Sequence, residues 1–320
     1  MRAPDFWDGD DLLSRALVAA LTPLGALYGA TVRRKSKGAW RAPVPVICVG
    51  NLTAGGTGKT PVAIALAGMA RAKGKTPFFL TRGYGGTLRG PVLVAGHSAA
   101  EVGDEPLLLA AAAPTVVSRD RPAGARLAAE RGADVVVMDD GHQNFALAKD
   151  LSLVVVDGER GFGNGRLLPA GPLRETVVQG LARADAVIVM GGGVPALAGF
   201  SGAVLRARLE PYAGEDWKGQ RVVAFAGIGR PEKFFATLRS LGADIVHTVP
   251  FGDHHPYTQD DLDRLKSLAG REGARLVTTA KDLVRLAPAA RQGIAALAVR
   301  AVLDPQPVVD ELLDSLFQPR

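Results

Sequence analysis

The sequence contains a single cysteine, Cys48, among its 320 residues. One thiol excludes an intrachain disulfide and every metal site that is built mainly from cysteines. Cys48 lies within the apolar run at residues 46–49, so we interpret it as a small buried hydrophobic residue. This cysteine usage is typical of a protein from a reducing compartment.

Aromatic residues make up only 6% of the chain, and no basic run is interleaved with them. Nucleic-acid-binding proteins use such interleaving for base stacking and phosphate contact. We therefore expect no nucleic-acid partner. The net charge of +6 and the pI near 9.6 nevertheless favour an anionic partner, such as a nucleotide, a phosphorylated substrate or an acidic lipid.

The sequence also lacks an unbroken apolar run of the ~20 residues that a membrane-spanning helix needs. The uncharged stretch 16–31 is shorter and contains Pro23, and no basic leading region of a signal peptide precedes it. Leucines recur at helical spacing through residues 13–27. We predict that residues 1–40 form an amphipathic helix, which either lies on a membrane surface or packs on the protein's own core. The basic residues that would meet anionic headgroups are Arg33, Arg34, Lys35 and Lys37.

The most informative stretch is VPVICVGNLTAGGTGKTPVAIAL, residues 44–66. It predicts a β-branched strand, a glycine-rich turn and an apolar-periodic helix, in that order. Such a unit surrounds anionic oxygens with backbone N–H groups and a helix N-terminus. Lys59 is placed to reach the β- and γ-phosphates, and the Thr60 hydroxyl to bind Mg²⁺. The predicted nucleotide-binding residues are Thr53, Ala54, Gly55, Gly56, Thr57, Gly58, Lys59 and Thr60.

One position of this loop departs from the usual spacing, which would place its first glycine at Thr53. Gly55, Gly56 and Gly58 supply the flexibility slightly later. The alternative interpretation is an ordinary glycine-rich turn between a strand and a helix.

Strands alternate with helices along the whole chain, which predicts an α/β fold with a doubly wound parallel sheet and ligands at the strand carboxyl ends. We divide the chain into an N-terminal amphipathic helix (1–40), a P-loop domain with an α/β/α sandwich (41–202) and a smaller second α/β/α domain (203–320). The second domain is expected behind a cleft, with its last strand at residues 295–302.

Two pairs of adjacent acids are candidate site residues, one at the end of a predicted strand and one at the start of a predicted helix. Asp139 and Asp140 end a hydrophobic strand, where a carboxylate is placed to bind Mg²⁺ directly or through water; solvent-facing acids are the alternative. Asp104 and Glu105 follow a glycine at a predicted helix start. There they either cap the helix or supply the carboxylate that positions or deprotonates an attacking hydroxyl.

Two further loops carry candidate residues. Arg174 and Glu175 lie in PAGPLRE, where a guanidinium would brace the γ-phosphate or simply be a solvated surface charge. In FGDHHPY, the adjacent His254 and His255 cannot face the same way, which argues against a two-histidine metal site. One of them would orient a catalytic carboxylate across the cleft, or the segment is a polar turn.

Together these motifs resemble those of the tetraacyldisaccharide 4′-kinase family. The likeness covers nearly the whole chain in the same order, and Thr or Ser at position 53 is normal in that family. GNGRLLPAGPLRE and DDGHQ are highly specific, whereas the phosphate loop alone is not. The stretches that carry the resemblance are VPVICVGNLTAGGTGKTP, LTRGYGG, VGDEPLLLA, VVVMDDGHQN, RGFGNGRLLPAGPLRE, FAGIGRPEKF, FGDHHPYT and TTAKD.

The resemblance implies ATP- and Mg²⁺-dependent transfer of the γ-phosphate to the 4′-hydroxyl of a tetraacylated glucosamine disaccharide 1-phosphate, which yields lipid IV-A. It implies two α/β/α domains joined by a β linker. The N-terminal helix would dock on the bacterial inner membrane, and the protein would be peripheral or monotopic on its cytoplasmic face.

The resemblance also implies roles for individual residues. Asp104 would act as the base, paired with His254. The other implied assignments are Lys59 and Arg174 at the phosphates, Thr60, Asp139, Asp140 and Glu105 at the metal, and Gln143 and Glu175 in support.

Three positions depart from the family pattern without touching these roles: Asn144, Ala280 in TTAKD, and Thr176 after Arg174-Glu175. Other nucleotide-binding proteins share such a phosphate loop, but this sequence lacks the residues that two of them need. A partition-type ATPase would have lysine at the position of Ala54, and a GTPase would have an Asn-Lys-x-Asp motif.

A second alternative is a nucleotide-dependent membrane scaffold. A scaffold would not need Asp104 near His254, so we expect the approach of these two residues to distinguish the kinase from the scaffold.

Overall fold

The computed structural model describes residues 4–33, 38–197, 199–212 and 215–318, with the backbone alone for residues 31–33. The helices in this part of the chain are α1 Leu12–Arg33, α2 Lys59–Ala72, α3 Ala99–Val102, α4 Asp104–Ala110, α5 Arg121–Glu130, α6 Val177–Leu181, α7 Pro231–Ser240, α8 Gln259–Glu272, α9 Ala280–Leu283 and α10 Gln306–Phe317. Short 3-10 helices form at Asp5–Trp7 and Pro288–Arg291. The strands are β1 Val46–Gly50, β2 Pro77–Thr81, β3 Val92–Leu93, β4 Thr115–Val117, β5 Val135–Asp139, β6 Leu151–Asp157, β7 Ala186–Met190, β8 Ala203–Pro211, β9 Arg221–Ala226, β10 Asp244–Pro250, β11 Arg275–Thr279, β12 Ile294–Leu297 and β13 Val299–Asp304.

The larger sheet has nine strands in the order β13-β8-β7-β6-β1-β5-β2-β4-β3. Its two edge pairs, β13–β8 and β3–β4, are antiparallel, and the pairs between them are parallel. The apolar strand β1 is buried along its whole length and lies between β5 and β6. The chain builds outward from β1 in both directions, so the carboxyl end of β1 is the point where such sheets bind ligands.

Helices cover both faces of this sheet. On one face, α2 packs Val62, Leu66 and Ala70 into a core that also contains Leu109 of α4 and Leu313 of α10. On the other face, α5 contributes Ala125 and Ala128, and the end of α6 contributes Leu181. The predicted α/β/α sandwich is therefore confirmed, because apolar residues recur on the inward side of each helix.

The smaller sheet has the order β10-β9-β11-β12, and all its strand pairs are parallel. The face covered by α7 contains Phe234, Phe235 and Leu238, and the opposite face is covered by Leu262 and Leu265 of α8. This second α/β/α unit agrees with the predicted fold class.

Sheet membership differs from the predicted division at residue 203. Strand β8 pairs with β7 in the larger sheet, and β13 returns to pair with β8. The predicted single strand at 295–302 is wrong, because the chain leaves the smaller sheet after β12 and enters the larger one at β13. Between them, the Ala298 carbonyl accepts a hydrogen bond from the Tyr212 N–H at 3.0 Å. Two adjacent strands thus connect the smaller unit to the edge of the larger sheet.

The N-terminal segment forms one long helix, α1, and Pro23 lies inside it. Several leucines on it face outward; Leu13 is 70% exposed and Leu27 is 67% exposed. By length and composition alone, the stretch Leu12–Ala30 of α1 could cross a membrane, which corrects the expectation that the segment is too short to span one; only 11% of it is buried. Core helices and signal sequences pass the same test. The basic residues Arg34, Lys35 and Lys37 lie outside the described residues, as does the side chain of Arg33.

Candidate active site

The phosphate loop joins β1 to α2 at the carboxyl edge of the larger sheet. Gly58 immediately precedes α2 with a φ of +86°, which residues with a Cβ rarely adopt. Lys59 and Thr60 are therefore the first two residues of the helix, where backbone N–H groups lack helical partners. At the start of the loop, the Ala54 N–H donates to the Pro172 carbonyl at 2.7 Å. The predicted nucleotide-binding residues thus lie in one strand–loop–helix unit.

The two acids at the end of β5 contact the phosphate loop from the neighbouring strand. The Thr60 hydroxyl donates to Asp139 Oδ2 at 2.9 Å. The Asp140 carboxylate lies 3.7 Å from Lys59 Nζ and accepts two hydrogen bonds from Arg174 Nη1, at 2.8 and 3.0 Å. The structure therefore brings together five predicted residues from three separate motifs.

The two carboxyl groups differ in their electrostatic surroundings. Burial, together with the nearby Glu105 carboxylate, raises the pKa of Asp139 to about 7. Burial acts on Asp140 as well, but Lys59 and Arg174 outweigh it and lower the pKa of Asp140 below its ordinary value. Asp140 is paired with cations of the protein, whereas burial makes the ionised form of Asp139 unfavourable unless a further cation binds beside it.

Thr60 and Asp139 fit a Mg²⁺ ion. Asp139 Oδ1 is buried and has no hydrogen-bond partner among the described residues, so one carboxylate oxygen is left for a cation. Mg²⁺ commonly binds proteins through one or two carboxylates and completes its octahedron with water and substrate phosphates. Glu105 is close enough to influence Asp139, but its carboxylate also lies 3.7 Å from Lys281 Nζ.

Asp104 is the first residue of α4, directly after Gly103. Gly103 has a φ of +92°, and a Cβ there would lie 2.3 Å from the Tyr84 carbonyl oxygen, so the approach requires glycine. Asp104 Oδ2 lies 2.9 Å from His254 Nδ1. The expected approach of His254 to Asp104 is therefore confirmed, and it joins the larger unit to the smaller one.

Two more cations reach Asp104 from the smaller unit. Arg285 donates from Nη2 at 2.7 Å and from Nε at 2.9 Å to Asp104 Oδ2, while Lys281 Nζ lies 3.9 Å away. Burial alone would raise the pKa of Asp104. His254, Lys281 and Arg285 reverse that effect and hold the pKa well below its usual range.

The predicted supporting residues brace the phosphate loop from outside. Gln143 Nε2 donates to the Asn51 carbonyl at 2.8 Å and to Glu175 Oε1 at 2.9 Å. Arg183 Nη2 donates to both oxygens of Glu175 at 2.8 Å. Gln143 thus contacts both Glu175 and Asn51, the residue where the loop begins.

Other polar residues of the motifs have local roles. His255 Nε2 lies 3.0 Å from Asp261 Oδ2, at the start of α8, which separates it from its neighbour His254. Asn144 Oδ1 accepts the N–H groups of Ala146 and Leu147 in a turn. Neither side chain joins, through these contacts, the Asp104 cluster, which consists of Asp104, His254, Lys281 and Arg285.

Comparison with known proteins places the chain in a family. A family model described as Tetraacyldisaccharide-1-P 4′-kinase matches residues 17–318. The chain belongs to the tetraacyldisaccharide 4′-kinase family. A tetraacyldisaccharide 4′-kinase of Methylorubrum extorquens is 55% identical over 308 residues, 93% of this chain and 94% of that protein. One of Rhodospirillum centenum is 53% identical over 327 residues, 99% of this chain and 97% of that protein.

A solved structure supports the same assignment. The crystal structure of the "apo" form of LpxK from Aquifex aeolicus in complex with ATP is similar with a TM-score of 0.79 and 28% sequence identity. The match covers 94% of this chain and 100% of that one. These similarities confirm the predicted family, the fold class and the function of a tetraacyldisaccharide 4′-kinase in lipid A biosynthesis. They do not test the roles of single residues, which stay predictions for this kinase.

Sequence reasoning missed two residues of the kinase's Asp104 cluster. TTAKD is part of the family resemblance, but the resemblance implies no role for Lys281, and Arg285 lies beyond TTAKD. The available signal was a lysine and an arginine four residues apart, on one face of a helical turn. Nothing in that spacing indicates which carboxylate they face, because Asp104 is far away in the sequence.

Proposed function

We propose that the kinase transfers the γ-phosphate of ATP to the 4′-hydroxyl of a tetraacylated glucosamine disaccharide 1-phosphate, with Mg²⁺ at Thr60 and Asp139. Asp104 accepts the proton of that hydroxyl, and His254 orients the carboxylate. The observation that carries this proposal is the Asp104–His254 contact at 2.9 Å, linked to the phosphate loop through Glu105, which lies near Asp139.

Each residue has a defined task in this reaction. The hydroxyl O–H bond breaks as its proton passes to Asp104, a new O–P bond forms, and the bond from the γ-phosphorus to the bridging oxygen of ADP breaks. Lys59 and Arg174 offset the charge that gathers on the phosphate oxygens. Both contact Asp140, which holds them beside the loop. Mg²⁺, when bound, neutralises charge on the β- and γ-phosphates.

We further propose that α1 docks on the cytoplasmic face of the inner membrane. The acceptor is a lipid, so the active site must work close to a bilayer surface. The exposed leucines of α1 offer apolar area for burial in the headgroup region. The Trp7 Nε1 donates to the Pro169 carbonyl at 3.0 Å, which connects this segment to the loop that carries Arg174.

A phosphotransfer assay tests the proposal directly. ATP, Mg²⁺ and a detergent-dispersed disaccharide 1-phosphate are incubated with the parent protein and with Asp104→Ala. We expect transfer by the parent and a loss of ~10²–10⁴-fold in kcat for the variant, the usual contribution of a general base. Asp134→Ala, which removes a surface carboxylate before β5, serves as the matched control and should keep parental activity.

Two outcomes would contradict the proposed function. The parent protein transfers no phosphate to the disaccharide, or it hydrolyses ATP equally fast without the acceptor. The second result would favour the nucleotide-dependent membrane scaffold.

A further inference from the structure

The segment after TTAKD provides Arg285, which is almost completely buried, with 6% of its side chain exposed. Its guanidinium group donates four hydrogen bonds to three acceptor atoms. Nε and Nη2 donate to Asp104 Oδ2, and Nη1 donates to the Gly227 carbonyl and to Asp282 Oδ1, both at 2.7 Å. Arg285 therefore bridges an acid of the larger unit and an acid of the smaller one.

Asp282 holds Arg285 from the far side. Its side chain is fully buried, and Oδ1 accepts hydrogen bonds from the Gly227 N–H at 3.0 Å and the Tyr257 hydroxyl at 2.9 Å. Its other oxygen accepts the Thr279 hydroxyl at 2.6 Å. Because the planar guanidinium is fixed at this end by several bonds, its other edge has a defined direction toward Asp104.

The two oxygens of Asp104 are not equivalent in this arrangement. Oδ2 lies within hydrogen-bond distance of three nitrogens, namely His254 Nδ1 and Nε and Nη2 of Arg285. Oδ1 accepts only the N–H of Glu105, at 3.0 Å, among the described residues. A carboxylate oxygen has two lone pairs, so Oδ2 is saturated and Oδ1 keeps acceptor capacity.

We propose that Arg285 is a positioning residue that fixes the Asp104 carboxylate, so that Oδ1 receives the proton of the acceptor hydroxyl. This inference rests on the proposed phosphotransfer and adds the residue and the oxygen atom to it. In the transfer step the hydroxyl O–H bond breaks and an Oδ1–H bond forms. Oδ2 keeps its bonds to Arg285 and His254 throughout.

Arg285 suits this task better than the other two cations. His254 makes one bond to Asp104 and its side chain is 33% exposed. Lys281 lies 3.9 Å from Asp104, 3.7 Å from Glu105 and 3.4 Å from His254 Nε2, so it adds positive charge without a short directional bond. Arginine also offers two parallel donors, which define an orientation.

The test separates positioning from binding. Arg285→Gln and Arg285→Lys are compared with the parent for kcat, for KM of the lipid acceptor and for ATP affinity measured without acceptor. We expect kcat to fall by ~10²-fold in Arg285→Gln, as for a misplaced catalytic group. Both KM and the ATP dissociation constant should stay within about threefold of the parental values, because contacts other than those of Arg285 determine the binding of acceptor and ATP. Arg285→Lys restores the charge without the paired donors and should recover only part of kcat.

The matched control is Arg291→Gln, because Arg291 lies in the same segment and donates to the carbonyls of Leu286 and Val284 rather than to Asp104. It should keep the parental kcat. If Arg285→Gln unfolds, Arg285→Lys carries the test. The inference would be overturned if folded Arg285→Gln, or Arg285→Lys where the glutamine variant unfolds, kept the parental kcat. A change confined to KM would overturn it as well. Absence of transfer by the parent with normal ATP binding would instead reject the proposed function itself.

Discussion

At the residue scale, the ends of β1 and β5 show how one sheet edge gives neighbouring groups different properties. Asp139 is the last residue of β5 and meets the Thr60 hydroxyl, whereas Asp140 follows the strand with a φ of +53° and meets Lys59 and Arg174. One acid is neutralised internally and the other is not. When Asp139 ionises without a cation beside its unpartnered oxygen, the buried charge costs folding stability.

This cost predicts a pH-dependent effect of Asp139→Asn. The pKa of Asp139 is raised by burial and by Glu105 from 3.8 to about 7 in the folded protein. Between these values the unfolded chain loses its proton first, so ionisation favours unfolding as the pH rises through that window. We expect Asp139→Asn to increase the melting temperature at pH 8 without Mg²⁺, and to have a smaller effect at pH 4.5. Thermal unfolding at the two pH values measures this.

The same variant should lose the extra stability that Mg²⁺ and ATP give together to the parent protein. Asp134→Asn is the control, because that exposed acid next to β5 accepts a bond from the Thr76 N–H and has a lowered pKa. It should be neutral or slightly destabilising at both pH values. Equal responses of the two variants would contradict a buried, metal-dependent charge at Asp139.

At this scale the sequence predicts the residues that belong to motifs, but not those that act through contacts across the cleft. Lys59, Thr60 and Asp139 follow from the order of strand, loop and helix, because local geometry places them. The Asp104–His254 contact came from the family resemblance. Neither the local pattern nor the resemblance predicts Arg285, because its position depends on how the two sheets pack together.

At the scale of elements, α1 differs from the other long helices in exposing its leucines. Helices α2 and α8 bury their apolar faces on a sheet, whereas Leu13, Leu24 and Leu27 of α1 are all more than half exposed. Gly25 lets α1 approach the loop at Leu167, whose carbonyl would lie 3.1 Å from an added Cβ. The side that carries Gly25 packs on the protein, which leaves the leucines for another apolar surface.

We predict that Leu13→Ser, Leu24→Ser and Leu27→Ser together reduce membrane binding. Each buried leucine contributes ~1.5–3 kcal/mol, so the partition coefficient should fall by at least tenfold. Co-sedimentation with vesicles of phosphatidylethanolamine and phosphatidylglycerol measures it, and deletion of residues 1–38 should have at least as large an effect. Val194→Ser, at an 85% exposed valine outside α1, is the control. Unchanged sedimentation of the triple variant would show that α1 does not dock on the bilayer.

Element prediction was reliable where the pattern is local. The apolar runs of β1, β5, β6 and β7 identify buried parallel strands, and glycines and prolines mark their ends. The division at residue 203 could not be judged in this way, because a strand's sequence does not state which sheet it joins. At Ala298 the chain passes between two sheets within a single apolar stretch, so no compositional change marks the boundary.

At the scale of the whole molecule, two kinds of connection hold the smaller unit against the larger one. One is covalent, through β8 and β13, which pair side by side. The other consists of ion pairs across the cleft. Arg285–Asp104 is buried, with 6% and 8% of the side chains exposed, whereas Lys233–Glu159 is open to water, at 59% and 58%. Arg230 also contacts Asp157 and Glu159 beside that open pair.

These exposures predict which contact controls the relative position of the two units. Exposed ion pairs contribute ~0–1 kcal/mol, whereas removing one partner of a buried pair costs ~3–5 kcal/mol. Glu159→Gln should therefore leave the distance between the units unchanged, and Arg285→Gln should broaden its distribution. Fluorescence energy transfer between dyes on Glu130→Cys and Lys266→Cys measures this, since both positions are exposed and Cys48 is buried. A broadened distribution in Glu159→Gln with none in Arg285→Gln would show that the open side of the cleft holds the units together.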